Sequence, residues 1–305
     1  MTSSRPIELA RKRTQLLDKL RNEARRQSVT PENVQHQFAF DMFLSRLFSH
    51  GDCAWVLKGG TSLLLRIGSG RRSRDIDLAR REQTDPGRAL RELQVLVNDP
   101  GPTDPDFDFE LKEPVRDNRD PGDLTRGSFK VLLKLGALPI VPFSVDISTQ
   151  QYTDAPIEKV ELNPVIEYKG LPTGTIIQMV PVENVAADKL CACYEIHRNE
   201  PSTRYHDLID LVRIVTSQRM SASLLQELIA SEAGARGLNL PNKMNSPGNR
   251  WQQAYPRQAS KAAEFPAEYH ELEAALEVVG TCLNPILSRE PVTGIWDPEK
   301  QSWLA

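Results

Sequence analysis

The sequence predicts an α/β (α+β) N-terminal domain, residues 1–180, followed by a helical C-terminal domain, residues 181–305. Three observations carry that expectation. Short apolar strands alternate with helical patterns between residues 54 and 97. A period of two then governs Phe129, Val131, Leu133 and Leu135, and again Val141, Phe143, Val145 and Ile147. From Pro181 onward the apolar residues recur at helical spacings of three and four, as in Val182, Val185, Ala186, Leu190 and Cys193.

Residues 1–28 read as a helix with Ile7, Leu9, Leu16, Leu17 and Leu20 set among charges. Its basic residues, Arg11, Lys12, Arg13, Arg25 and Arg26, form either a solvated face or an RNA contact. Thr30-Pro31 is a helix start, with a hydroxyl cap and a proline at the first helical position. That helix carries Phe38, Phe40, Met42, Phe43, Leu44 and Leu47 and is expected to stop at Gly51. A strand at 54–57, a helix at 61–67 and a strand at 74–79 follow. Asp85-Pro86-Gly87 reads as a turn before a helix at 87–97, and 98–105 is turn chemistry. Strands are expected at 106–112 and 129–135, with a mobile loop at 113–127 between them. Pro139 is expected to turn the chain so that 141–148 pairs back as a hairpin. Helices then begin near Pro181 and Arg204, and 221–305 is mostly helical apart from a Pro/Asn/Gly loop at 239–249.

The 305 residues carry a formal net charge of -3, so a nucleic-acid contact would need local basic patches. No apolar run approaches the roughly 18 residues of a membrane span. The N-terminal MTSSRPIELARKR lacks a signal-peptide centre, so a cytoplasmic protein is expected. Cys53, Cys191, Cys193 and Cys282 have no zinc-like spacing and read as buried, reduced thiols.

The chemistry concentrates between Val56 and Leu78. Asp75 and Asp77 lie two apart on a strand and so share a face, while Ile76 and Leu78 turn to a core. Asp146 is a lone carboxylate on the polar face of an otherwise apolar strand. Three such acids suit hard divalent ions such as magnesium, or else make surface ion pairs with Arg72, Arg74 and Arg80. The glycine pair Gly59-Gly60, between a strand and a helix start, favours the first reading. Backbone N–H groups there can approach a phosphate closely.

These residues resemble the DNA polymerase beta-type nucleotidyltransferases, whose pattern is a glycine pair, a short helix, an Asp-x-Asp strand and a third Asp. Here 14 residues separate Gly60 from Asp75. The run Lys58-Gly59-Gly60-Thr61-Ser62-Leu63, then Arg72, Ser73, Asp75, Ile76, Asp77 and Leu78, is similar to the AbiEii/AbiGii-type (MenT-like) toxin branch. So are Asp188-Lys189-Leu190 with Ala192, the run Arg204 to Leu211, and the Trp251/Tyr255 pair. The family often has a lysine where His206 stands. The resemblance spans about residues 30–285.

It implies a polymerase beta-type core with a mixed sheet, completed by the helical domain. It implies a toxin of a bacterial toxin–antitoxin pair that uses nucleoside triphosphates. Some members add nucleotides to the tRNA 3′ end, which blocks aminoacylation. A nearby antitoxin is expected, and no membrane partner. Carried onto this chain, Asp75 and Asp77 are metal ligands and Ser73 lies beside the triphosphate. Lys58, Gly59, Gly60, Thr61, Ser62 and Arg72 belong to the nucleotide site. Lys189 contacts phosphate as a mobile point charge, and Asp207 or Asp210 completes the catalytic set. Asp146 is the third ligand for two Mg2+ ions, the base, or both. Arg66, Arg71, Arg72, Arg74, Arg80, Arg81, Lys130 and Lys134 would form a positive rim for RNA. Two rivals stay open: a nucleotidyltransferase that modifies a protein or small molecule, and a non-catalytic binding module.

Overall fold

The computed structural model describes residues 4–51, 53–68, 74–81, 84–112, 126–148, 156–197 and 200–305. They form two compact units. One reaches to Val180; the other runs from Pro181 to Ala305 and includes Ile67 and Gly68.

In the first unit α1 (Ser4–Arg26) buries a narrow stripe of Leu16, Leu20 and Ala24. Helix α2 (Pro31–Phe48) starts as its cap residues dictate, with the Thr30 side chain accepting from the Asn33 N–H. It is buried almost all round from Val34 to Phe48, the pattern of a helix enclosed by protein. Arg46 lies inside it, fully buried, and its guanidinium donates to Thr103 Oγ1 and to the carbonyls of Val97, Asp104 and Phe107 at 2.8–3.0 Å. Those four acceptors offset the large cost of burying that group. The helix ends three residues before Gly51, which itself takes a φ of 75°.

Next come β1 (Trp55–Lys58), α3 (Gly59–Ile67), β2 (Asp75–Arg80), α4 (Pro86–Asn98), β3 (Phe107–Lys112), β4 (Arg126–Leu135), β5 (Leu138–Ser148), β6 (Glu158–Glu161) and β7 (Ile176–Met179). The seven strands make one sheet in the order β3-β4-β5-β2-β1-β7-β6. It is mixed: β2 runs parallel to β5 and antiparallel to β1, and β1 runs parallel to β7. One face is the core, where Ile76, Leu78, Phe129, Val131, Phe143 and Val145 are buried against α1, α2 and α4. Edge-on aromatic pairs knit it, with Phe40–Phe143 at 5.2 Å and Phe43–Phe109 at 5.3 Å between centroids.

Several expectations need correction. Asp85 and Pro86 do not precede the fourth helix as a turn but start it: Asp85 is the N-cap and accepts from the Arg88 N–H at 2.9 Å. Pro139 does not turn the chain. The turn is Gly136-Ala137, and Pro139 lies inside β5, opposite Lys134, where the register shifts. Of the expected loop at 113–127, residues 113–125 lie outside the described residues, and Arg126 and Gly127 belong to β4. Strands β6 and β7 were not expected.

The second unit opens with α5 (Val182–Tyr194), a small hairpin of β8 (Ile196–His197) and β9 (Glu200–Pro201), and α6 (Tyr205–Ser217). Strand β10 (Met220–Ser221), helices α7 (Ala222–Ala235), α8 (Trp251–Ala259) and α9 (Leu272–Leu287), and strands β11 (Ile295–Asp297) and β12 (Ser302–Leu304) complete it. The three-stranded sheet β10-β11-β12 is a further element that the helical expectation missed. Indole N–H groups fasten the segments: Trp251 to the Ser202 carbonyl, Trp296 to that of Val215, and Trp303 to that of Cys282, at 2.7–3.1 Å. Tyr255, one turn from Trp251, donates to the Tyr269 carbonyl. All four cysteines are free and buried, and burial pushes the Cys191 thiol up to about 12. Among the described residues no helix is long and apolar enough to cross a membrane.

Candidate active site

The polar face of the large sheet is built by register. Asp77 stands opposite Lys58 on β1 and opposite Asp146 on β5, and Asp146 stands opposite Ser128 on β4. Lys58, Asp77, Asp146 and Ser128 therefore form one row across four strands, all on one face. A second row, two residues along, runs Asp75, Ser144, Lys130 and Lys112. Alternation explains why these side chains face away from the core: Ile76, Leu78, Val145 and Ile147 between them are buried. The three acids are half-buried.

The strand β1 passes straight into α3 at Gly59, whose φ of 65° is left-handed and whose position leaves no room for a side chain. A Cβ there would lie 2.7 Å from Cγ of Asp77. Glycine is thus required twice, once for the turn and once for the close approach of the Asp77 carboxylate. The first N–H groups of α3 have no partner within the helix and carry its positive end. The hydroxyls of Thr61 and Ser62 are buried and donate to the carbonyls of Asp75 (2.9 Å) and Gly59 (2.8 Å). Their single protons hold the helix against β2 and shape the glycine turn. Gly60 lies in the first turn of the same helix.

Do these residues fit a metal? Among the described residues no three His, Cys, Asp or Glu side chains are gathered as they stand into a group that could hold one. The donor set nonetheless fits a hard cation. Asp77 and Asp146 face each other in register on adjoining strands, and Oδ1 of Asp146 is buried with no hydrogen-bond partner. A buried carboxylate oxygen left unsatisfied is costly, and a cation is the natural partner for it.

Lys189, Asp207 and Asp210 make a group of their own in the helical unit. The Lys189 ammonium on α5 lies 2.7 Å from Asp207 and 3.1 Å from Asp210, both on α6. Asp207 is also paired with Arg204, and Asp210 lies 3.8 Å from Arg213. The side chains of Lys189, Asp207 and Asp210 are only 9%, 4% and 9% exposed. Burial pulls the Lys189 ammonium down, but Asp210, Asp207 and Asp188 outweigh it and raise it above its usual value. Burial likewise pushes Asp207 up, yet Lys189 and Arg204 hold it below the usual carboxylate value. Lys189 is therefore not the mobile point charge expected of it; two carboxylates fix its position. Both aspartates, rather than one of them, make ion pairs.

The positive rim also changes. Arg66 is buried against Glu158 on β6 (2.6 Å) and donates to the Val180 carbonyl. Arg80 is paired with Glu92 and lies over the Trp55 ring at 5.6 Å. Lys134 is paired with Glu110 at 3.0 Å. These three are engaged in ion pairs within the fold. Arg74 and Lys130 are exposed. Arg71, Arg72 and Ser73 lie outside the described residues. Sequence reasoning missed Ser128 and Lys112 as neighbours of the acids. Their alternation was visible, but only the register assigns them to these rows.

A family model described as "Nucleotidyl transferase AbiEii toxin, Type IV TA system" matches residues 42–278. No curated protein matches the chain. Among solved structures, MenT4, a nucleotidyltransferase toxin from Mycobacterium tuberculosis H37Rv, is similar over 71% of this chain and 68% of that one, with 20% identity and a TM-score of 0.50. JHP933 from Helicobacter pylori is similar over 85% of this chain and 95% of that one, with 18% identity and a TM-score of 0.43. The likeness to MenT4 is one of fold.

Proposed function

The chain belongs to the AbiEii nucleotidyltransferase toxin family of type IV toxin–antitoxin systems, and on that premise we propose that it transfers a nucleoside monophosphate from a triphosphate to an RNA 3′ end, tRNA above all. The observation that carries this reading is the Asp77–Asp146 register pair beside the Gly59 turn, with its unpartnered buried oxygen.

In this reading Asp75, Asp77 and Asp146 would hold two Mg2+ ions, which would supply positive charge for the triphosphate, the leaving pyrophosphate and the attacking hydroxyl. The backbone N–H groups of Gly59, Gly60, Thr61 and Ser62 orient the triphosphate at the start of α3. Thr61 and Ser62 act on the shape of that turn. Lys58, in register with Asp77, sets an ammonium near the phosphates. Arg72 and Ser73 serve the same nucleotide. Asp146 accepts the proton as the 3′ oxygen attacks the α-phosphorus. The bond to pyrophosphate breaks, and the RNA leaves one nucleotide longer. Lys189, pre-oriented by Asp207 and Asp210, meets a substrate phosphate as a fixed charge rather than a flexible one. An extended 3′ end would block aminoacylation and arrest growth. A cognate antitoxin would be the physiological partner.

The test is incubation of the purified protein with each α-labelled triphosphate, Mg2+ and, separately, total RNA, total protein and small metabolites. Label at RNA 3′ ends, abolished by Asp77→Asn, is the expected result. Label confined to protein or to a small molecule would overturn the RNA reading. Growth arrest that persists in Asp77→Asn would favour a non-catalytic binding module.

A further inference from the structure

The β3–β4 end of the polar face holds an arrangement that protein stability alone does not favour. Lys112 and Lys130 stand directly opposite each other in an antiparallel pair. Like charges in that position are destabilising. Among the described residues neither is neutralised nearby. Lys112 is 65% exposed, and the acid beside it among the described residues, Glu110, is 4.0 Å away. Glu110 is taken by Lys134, whose hydrogen bond is the main cause that holds its carboxyl below the usual value, with Lys112 a lesser one. Lys130 is exposed, and its ammonium donates to the neutral Ser144 Oγ at 2.7 Å. Farther along the same strands the charges balance, with Asp108 opposite Lys134. Among the described residues the surplus thus lies at the end nearest the acids.

The row continues through Ser144 to Asp75. At about 4.8 Å per strand, Lys130 lies roughly 10 Å and Lys112 roughly 14 Å from Asp75 along the sheet. The glycine turn and Lys58 flank the acids on the opposite side, on β1. We propose that Lys112 and Lys130 form the acceptor-strand track: they bind backbone phosphates of a single-stranded RNA whose 3′ hydroxyl reaches the carboxylates. The nucleotide side and the acceptor side of the site are then separate flanks of one sheet face. A polyanion suits this surface better than an acidic peptide. The donors are point ammoniums in line, and their neighbours Ser128 and Ser144 carry hydroxyls, with no exposed apolar anchor in either row. The proposal rests on the RNA-transfer reading above.

The experiment compares wild type, Lys112→Glu/Lys130→Glu, the neutral Lys112→Gln/Lys130→Gln, and a charge-matched control, Lys243→Glu/Lys261→Glu, whose lysines are exposed in the helical unit. The probes are fluorescent single-stranded RNA, total tRNA and a non-hydrolysable triphosphate. Expected for the first variant is RNA binding and the RNA KM weakened about tenfold. Loss of two phosphate contacts should lower the slope of log K against log salt by about 1.4. Triphosphate affinity should stay within about twofold, and the Gln variant should fall between. Equal loss in the control, equal loss of triphosphate binding, or an unchanged salt slope in a variant that melts like wild type would overturn the track. Wild-type protein that labels protein instead of RNA, with labelling lost in the Glu variant, would overturn it in favour of a peptide surface. Wild type that labels nothing would sink the transfer reading itself, a result separable from the others.

Discussion

Two groups of charged residues invite comparison. Asp75, Asp77 and Asp146 sit on a sheet face, half-buried, with one buried oxygen unpartnered. Lys189, Asp207 and Asp210 lie nearly closed off, and each has a countercharge within 4 Å. The second group sets one ammonium between two carboxylates, with Arg204 and Arg213 beside them, so removing one member leaves buried charges short of a partner. In the first group three like charges share one sheet face, which is costly unless something offsets it, and the buried Asp146 oxygen is the one a bound cation would satisfy. Stability and function thus draw on the same residue types in opposite ways.

The largest expected effect tests the first group. Asp77→Asn should lower nucleotidyl transfer by about a thousandfold or more in a labelled-triphosphate assay, while the protein stays folded. Gly59→Ala should lose comparable activity, because its Cβ and the Asp77 carboxylate would compete for one space, and should melt lower. If Asp77→Asn unfolded the protein, the contrast between the groups would fail.

The second group should behave in reverse. Lys189→Met leaves Asp207 and Asp210 facing each other in a buried site, and should cost about 3–5 kcal/mol in denaturant unfolding. Asp146→Asn should leave stability at or above wild type. Equal destabilisation by both would erase the distinction.

The pH dependence sharpens it. Asp207 titrates below its ordinary 3.8 in the folded state. Native protein therefore binds fewer protons there than unfolded chain, and the pairing stabilises fully above that value and is lost as pH falls through the lowered one. Lys189 is raised, so its contribution is complete below its ordinary 10.5 and is lost only as pH rises through the raised value. Melting curves from pH 2 to 5 should converge for wild type and Asp207→Asn at the acid end and separate toward pH 5. Curves that stay parallel would show that the ion pair contributes nothing.

The smallest effect lies away from both groups. Asp85→Ala removes the α4 cap and should cost about 1 kcal/mol, with transfer activity unchanged.

Much of this was legible in local patterns. Period-two alternation alone placed Asp75 and Asp77 on one face, and Asp146 on the polar side of its strand, because successive strand residues must point to opposite sides. Thr30-Pro31 marked the start of α2, and the glycine pair marked the β1–α3 junction. Strands β6, β7 and β10 to β12 were not legible, because two to four residues carry no period. Their existence depends on the strands they pair with.

What only the tertiary structure decided is register and burial. Nothing near Asp77 in the chain says that Asp146 stands opposite it, since strand pairing is a contact between residues far apart in sequence. The same holds for Lys112 beside Lys130, for Arg66 taken by Glu158, and for Lys189 locked between two aspartates. A side chain's chemistry is written in the sequence; whether its charge is left over for a ligand depends on which distant residues fold against it.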